Sequence, residues 1–178
     1  MREYGAEEVV LYILGNLRCV YDRRKVVLLA FLAQYEVDGR LVYELTCGGR
    51  PLARAGFYIG GGVASDDVCR ALRSGGVVKP PKELYSYGAR YRAEAPVPDV
   101  CYAGPVPQLP KPAEARLRDV LERFGAWGQE RLARHIGRLL WLNPWKEYEY
   151  GGADVRKYVL DQGFRVVRVE KCRRGSKA

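Results

Sequence analysis

The sequence predicts an α+β fold in which a winged-helix-like domain precedes a helical extension. Two apolar helices come first, over residues 6–17 and 23–36. The stretch FYIGGGVASDDVCRALRSGG, residues 57–76, then has the pattern of a strand, a glycine turn and a capped helix. A proline-rich stretch separates these elements from later helices. The predicted regions are a winged-helix-like domain (helix, helix, hairpin, helix, hairpin) over 1–95, a linker over 96–112, a helical region over 113–164 and a basic tail over 165–178.

The composition is that of a folded and basic protein. Apolar residues make up 48% of the 178 residues, which is enough to bury a core. The net charge of +9 lies mostly in residues 111–178 and favours an anionic partner such as nucleic acid, although a basic protein without such a partner has the same composition. Abundant arginine with few asparagines is typical of a thermophile, and equally of a GC-rich genome.

No segment predicts a membrane protein. The first residues, MREYGAEE, are charged and lack the apolar region of a signal peptide. No run approaches the roughly 20 apolar residues that a membrane-spanning helix needs. We therefore expect a cytoplasmic protein with no membrane partner.

The first two helices are predicted from the spacing of their apolar residues. In residues 6–17, Glu7 and Glu8 suit the first turn, and apolar residues recur at helical spacing. Residues 23–36, RRKVVLLAFLAQYE, are apolar on more than one side, which predicts the central core helix. Its basic start is either solvated or in contact with phosphate, and both interpretations stay open. The basic residues are Arg23, Arg24 and Lys25.

A hairpin and a short helix follow. Apolar side chains recur at every second position in residues 41–45 and in residues 55–59, and the turn residues CGGRP lie between the two stretches. This pattern predicts two paired strands. Ser65 is a suitable N-cap for the next helix, because its hydroxyl can accept a hydrogen bond from a first-turn N–H. Arg70 and Arg73 point away from the apolar stripe of this helix.

The second predicted hairpin, over 77–95, combines basic residues with tyrosines. Such a ribbon is typical of a wing that lies along a phosphate backbone, but charges also protect an exposed edge strand from aggregation. Its four cations are Lys79, Lys82, Arg90 and Arg92.

The helical region is predicted as two blocks and a final helix. The first block starts near Pro112 and is interrupted by glycines. The second, residues 129–143, is ended by Pro144. A final helix over 152–162 is followed by the strand RVVRVE. The second block carries three arginines at i, i+3 and i+7, opposite its apolar face: Arg131, Arg134 and Arg138.

No motif indicates catalysis or a bound cofactor. The five cysteines show no CxxC spacing, so a zinc site is not expected. Phosphate-binding loop, nucleophile-elbow and zinc-protease motifs are absent, and the single histidine, His135, is interpreted as structural. We expect a protein that is not an enzyme and uses no cofactor or metal. Disulfides are expected if the source is a hyperthermophilic archaeon, and the odd cysteine count leaves at least one thiol unpaired.

Two stretches resemble the Panacea (SocA-like) domain family, over roughly residues 6–95. They are KVVLLAFLAQYE and FYIGGGVASDDVCRAL. Val63 stands where the family often has proline. The resemblance implies a winged-helix-like core that binds DNA or protein, as in antitoxins and proteolytic adaptors. The matching positions are Lys25, Leu28, Leu29, Phe31, Leu32, Ala33, Gly62, Ser65, Val68 and Leu72.

The sequence therefore predicts a noncatalytic DNA-binding regulatory protein of winged-helix type, from an archaeon. Arg70 and Arg73 would lie near the groove of double-stranded DNA. The alternative is an antitoxin-like or adaptor protein that binds another protein through tyrosine- and tryptophan-rich faces, and a homodimer is possible in either case. The expected phosphate contacts are Lys79, Lys82, Arg90 and Arg92, with Arg23, Arg24 and Lys25 as further candidates.

Overall fold

The computed structural model describes residues 3–41, 43–79, 97–165 and 167–172, which form a mixed α+β structure. The helices are α1 (Ala6–Leu17), α2 (Arg24–Tyr35), α3 (Asp66–Ala71), α4 (Lys111–Phe124), α5 (Gln129–Leu139), α6 (Pro144–Glu149) and α7 (Val155–Asp161). The strands are β1 (Cys19–Val20), β2 (Glu36–Val37), β3 (Arg40–Leu41), β4 (Tyr43–Cys47), β5 (Arg50–Pro51), β6 (Tyr58–Ile59), β7 (Val63–Ala64), β8 (Val77–Val78), β9 (Val100–Tyr102) and β10 (Val167–Glu170).

Helix α2 is the centre of the fold, as its sequence predicts. All ten residues from Val26 to Tyr35 are buried. A helix that is apolar on several sides must be covered on several sides, and α2 packs against α1, α4, α5 and β4. This arrangement fixes the positions of the other helices relative to one another.

Helix α3 begins as predicted at Ser65. The Ser65 hydroxyl accepts a hydrogen bond from the Val68 N–H at 3.3 Å, and the stripe of Val68, Ala71 and Leu72 is buried. The helix is short, with only the six residues from Asp66 to Ala71.

The predicted pairing of residues 41–45 with 55–59 is wrong. Strand β4 pairs antiparallel with β5 and parallel with β10, in the order β10-β4-β5. Strand β6 instead pairs with β7. The cause is turn geometry, since Gly48 and Gly49 have φ of 66° and 76° and reverse the chain directly into β5. The Gly61 and Gly62 turn, with φ of 57° and 92°, likewise returns β6 onto β7.

The stretch 96–112, predicted as an irregular linker, contains strand β9. This strand lies between β1 and β8 in a three-stranded antiparallel sheet. Its prolines flank the strand, so they leave the N–H groups of Val100–Tyr102 free to pair. Strand β8 is the described part of the predicted second hairpin. Residues 80–96 lie outside the described residues, and with them Lys82, Arg90 and Arg92.

The helical region shares one hydrophobic core with the preceding elements. Helices α4 and α5 pack on α2 through apolar faces that the sequence spacing predicts. Helix α5 ends at Leu139, earlier than expected, and Pro144 starts α6 rather than ending α5. Asn143 is the N-cap of α6, because its side-chain oxygen accepts from the Lys146 N–H at 2.8 Å. The buried residues of the two faces are Ala113, Leu117, Val120 and Phe124 of α4 and Leu132 and Ile136 of α5.

Two disulfides fasten the ends of the small sheets. Cys19–Cys101 joins β1 to β9, and Cys47–Cys172 joins the end of β4 to the residues after β10. Cys69 is the free thiol that the odd count predicts. The predicted last strand is confirmed as β10, so part of the expected basic tail, 165–178, is held in a sheet.

Candidate nucleic-acid interface

The three cations at the start of α2 are held by groups within the chain. The Arg23 guanidinium donates two hydrogen bonds of 2.9 Å to the Asp99 carboxylate. These bonds are the main reason why the pKa of Asp99 is lowered. Arg24 pairs with Asp22 at 3.1 Å. The Lys25 ammonium donates to the Gly125 carbonyl at 2.6 Å, and burial lowers the pKa of Lys25.

Arg70 lies on α3 and Arg73 lies two residues after its end, and the first turn of α3 carries two aspartates. Arg70 is highly exposed, with 77% of its side chain accessible, but lies 3.6 Å from the Asp67 carboxylate. Asp66 is exposed, as is Arg73. A phosphate approaching α3 would meet as many negative as positive charges, which is unfavourable for a helix that enters a DNA groove. Lys79 is exposed after β8.

A different set of cations has no such partners. Arg131, Arg134 and Arg138 lie exposed along α5, and we call them the α5 arginine face. Within the described part of the chain, no carboxylate oxygen lies within 4 Å of their guanidinium nitrogens. The guanidinium of Arg131 stacks over the Trp127 ring at 3.7 Å from its centroid.

The packing of α5 explains why this face points outward. Leu132 and Ile136 are fully buried against the core, so residues on the opposite side of the helix face solvent. Trp127 precedes α5 and packs edge-to-face on Phe124 at 5.0 Å between ring centroids. The α5 arginine face therefore stands on a helix whose position is set by buried contacts.

His135 lies among these arginines, stacked near the Phe124 and Trp127 rings at 5.2 and 5.4 Å. Its Nε2 is buried and has no hydrogen-bond partner in the described residues. Burial is the largest cause that lowers the pKa of His135. Glu36 opposes the shift, while Arg138, Arg123 and Arg131 add to it. The imidazole is therefore neutral at pH 7.

These side chains surround a cavity of about 270 Å³. We call it the α5 pocket. Guanidinium groups, an aromatic face and a neutral imidazole line its wall, which suits an oxyanion. The lining residues are Trp127, Arg131, Arg134, His135 and Arg138.

A larger cavity of about 420 Å³ lies beside the start of α1. Its cations are mostly engaged. Arg54 stacks on the Tyr4 ring at 4.4 Å and donates to the Tyr4 carbonyl at 3.2 Å, although its Nη1 has no partner among the described residues. Arg156 forms an ion pair with the buried Glu44. This cavity is therefore less suited to an anion than the α5 pocket.

Exposed aromatic side chains mark a second surface, around α6. Trp145 and Tyr148 are 74% and 83% exposed, and Trp141 is also exposed. The Trp141 ring stacks on Phe164 at 4.0 Å between centroids. We call Trp141, Trp145 and Tyr148 the α6 aromatic patch. Large exposed aromatic groups are unusual on a surface with no partner.

The sequence identifies the α5 arginine face by its spacing but gives no reason to rank it above the other basic segments. The signal that could have done so is the shortage of acidic residues one turn away. Glu130, four residues before Arg134, is the one acidic residue at such a spacing within α5. His135 lies within α5, four residues after Arg131, whereas Trp127 lies before the helix and joins the pocket through its packing on Phe124.

Comparison with known proteins found no match to a family model, a curated protein or a solved structure. Among the described residues, no helix has the length and apolar character needed to cross a bilayer. The same residues contain no cluster of three or more side chains that could hold a metal ion.

Proposed function

We propose that this protein is a noncatalytic DNA-binding regulator that contacts the phosphate backbone of double-stranded DNA with the α5 arginine face. The observation that carries the proposal is that three exposed arginines share one face of α5 without a carboxylate partner in the described structure. A cation that is already paired must give up its partner before it binds phosphate, whereas these three need not.

The spacing of the three arginines fits a nucleic-acid strand. Seven residues separate Arg131 from Arg138, which at the rise of an α-helix is about 10 Å. Phosphates on one strand of a duplex advance ~3.4 Å along the axis, so a face of this length can reach more than one phosphate. Arginine also presents its donors in a planar fork that suits phosphate oxygens.

The proposal moves the expected DNA contact from α3 to α5. Arg70 and Arg73 are the groove contacts predicted from sequence, but Asp67 lies 3.6 Å from Arg70 and Asp66 adds a second negative charge to the same helix. A winged-helix role for residues 1–95 and the resemblance to the Panacea family remain predictions within this proposal.

The test compares two triple variants that lose the same charge. In Arg131→Ala/Arg134→Ala/Arg138→Ala the α5 arginine face is removed, and in Arg70→Ala/Arg73→Ala/Lys79→Ala the surface predicted from sequence is removed. Binding of a labelled 20-base-pair duplex is measured by fluorescence anisotropy at several salt concentrations. We expect the α5 variant to lose about tenfold or more in affinity and its salt dependence to fall by roughly two to three logarithmic units per decade of salt.

The matched variant should bind within about twofold of the wild type, because it keeps the proposed contacts. Equal losses in the two variants would show that only net charge matters, and a larger loss in the α3 variant would restore the interface predicted from sequence. Either result contradicts the proposal.

A second candidate function, protein binding as an antitoxin-like or adaptor protein, is favoured by the α6 aromatic patch. Contacts made by aromatic side chains depend little on salt, unlike phosphate contacts. Sedimentation velocity of the wild type at low and high salt, with Trp145→Ala/Tyr148→Ala as the comparison, tests whether this patch joins two copies. A salt-resistant dimer that the variant abolishes is the expected result, and a monomer at every concentration would count against a homodimer.

A further inference from the structure

We infer that the α5 pocket binds the terminal phosphate monoester of a nucleic-acid strand in preference to an internal phosphodiester. The inference rests on the proposed function, because it assigns the same arginines a particular chemical group. It goes further by stating that the protein recognises strand ends.

The shape of the site is the first reason. The arginines do not stand on a flat surface but line, with Trp127 and His135, a cavity of about 270 Å³. A continuous backbone can contact the arginines only from the rim of such a recess, whereas a phosphate at the end of a strand can also enter it. Concave sites that converge several polar groups on one point are typical of discrete ligands.

The charge of the site is the second reason. Three guanidinium groups line the pocket, and no carboxylate in the described residues pairs with them. An internal phosphodiester carries one negative charge, whereas a phosphate monoester carries about −1.5 to −2 at pH 7. The monoester therefore matches the charge of the pocket better and offers three oxygens to its donors.

His135 is the third reason. Its Nε2 is buried without a partner among the described residues, and an unpaired buried polar atom is unfavourable. A neutral imidazole that carries its proton on Nε2 can donate it to a phosphate oxygen bound in the pocket that His135 lines. The charges of Glu36, Arg123, Arg131 and Arg138 all act on this imidazole.

Trp127 prepares the site for such a ligand. Its ring holds the Arg131 guanidinium at 3.7 Å, so this arginine keeps one plane before the ligand arrives. Pre-orientation of a long side chain reduces the entropy that binding would otherwise cost. Trp127→Leu should therefore weaken end binding although it removes no charge.

The test uses one duplex sequence in four probes, three with different ends and one with none. The probes carry 5′-phosphate, 3′-phosphate or hydroxyl ends, and a dumbbell closed by a loop at each side has no ends. Competition against a labelled duplex measures the affinity of each probe. We expect a phosphorylated end to bind about tenfold or more tightly than hydroxyl ends or the dumbbell, and the 5′ and 3′ arms show which end is preferred.

Variants separate end binding from general attraction. His135→Ala and Trp127→Leu should lose about tenfold in affinity for phosphorylated ends and distinctly less for the dumbbell, so that the preference for ends disappears. His135→Gln, whose amide can still donate a hydrogen bond, should recover part of the preference. The Arg70→Ala/Arg73→Ala/Lys79→Ala variant should keep the preference in full.

The outcomes distinguish this inference from the proposed function. Equal affinity for all four probes, lost in the α5 triple variant, overturns the inference and leaves the proposed function intact. Binding of phenyl phosphate at the α5 pocket, measured by calorimetry, without binding of any duplex overturns both the proposed function and the inference about strand ends, and leaves a site for small phosphate monoesters. Binding of neither overturns both.

Discussion

Helices α4 and α5 both pack on α2 and are both rich in arginine, yet their arginines have different surroundings. On α4, Arg116 and Arg123 converge on the buried Glu36 and on Asp119. On α5, no carboxylate of the described residues pairs with the arginine face. The same residue type therefore serves the fold where a carboxylate lies opposite and remains available to a ligand where none does.

The end of α2 accounts for this difference. Its last carbonyls need hydrogen-bond donors, and Arg116 donates to those of Leu32 and Ala33 at 2.8 and 3.1 Å. Glu36 follows them directly. Burial alone would raise the pKa of Glu36, but hydrogen bonds from Arg123 and the Gly39 N–H, with the nearby positive charges, lower it overall. The α4 arginines thus cap α2 and neutralise Glu36.

The largest effect is expected from removing the shared carboxylate. Glu36→Ala removes the buried counter-charge of Arg116 and Arg123 and leaves them only the half-exposed Asp119, so it should cost about 3–5 kcal/mol of unfolding free energy. Urea denaturation followed by circular dichroism measures it. Glu114→Ala, which breaks the exposed pair with Arg118, is the control and should cost less than about 1 kcal/mol. Similar losses in the two variants would remove the distinction between the helices.

The buried face of α5 should give the next largest effect. Ile136→Ala leaves a cavity beneath the arginine face and should cost about 2–5 kcal/mol, while Ile136→Val should cost about 0.5–1.5 kcal/mol. The measurement is again urea denaturation. If Ile136→Ala were as stable as the wild type, α5 would not be held on α2, and its arginines would have no fixed position.

A smaller effect concerns pH. The pKa of His135 is lower in the folded protein than in the unfolded chain. As the pH falls below about 6.5, the unfolded chain therefore binds a proton at His135 while the folded chain still holds this residue neutral. Stability should therefore fall as the pH decreases from 7.5 to 5.5, and His135→Gln should remove this part of the fall. Thermal unfolding at several pH values measures both proteins. Parallel curves for the two would mean that the imidazole is not shifted by its surroundings.

The smallest effect on stability is expected from the arginine face itself. Replacing Arg131, Arg134 and Arg138 by glutamine should change the unfolding free energy by no more than about 0.5 kcal/mol. Arg123→Gln is the matched change on α4 and should be clearly destabilising, since it leaves part of Glu36 uncompensated. A loss above about 2 kcal/mol in the triple variant would show that these arginines are structural.

The elements that depend on the spacing of apolar residues along the chain, or on a capping residue, could be predicted. Helices α1 and α2 follow from apolar periodicity, and α3 follows from the cap at Ser65. The strands could not be paired in this way, because most have only two residues and their partners are chosen by glycine turns. Strand β9 could not be predicted, because the prolines on both sides of it give the whole stretch the composition of a linker.

The candidate site likewise has one property that the sequence predicts and one that it does not. The spacing of Arg131, Arg134 and Arg138 alone places them on one side of a helix, because side chains three, four and seven residues apart lie on the same face. Whether an arginine is free is a different matter, since its charge can be matched by a carboxylate that is far away in the chain. Arg23 with Asp99 and Arg123 with Glu36 are separated by 76 and 87 residues.

The amino-acid sequence by itself determined a basic α+β chain, its central helix and the arginine-bearing side of α5. Only the tertiary structure decided which cations are matched within the chain, and it placed the Trp127 ring against Arg131 and Phe124. The physical reason is that helical periodicity is a property of neighbouring residues, whereas an electrostatic pair depends on the distance between groups in space.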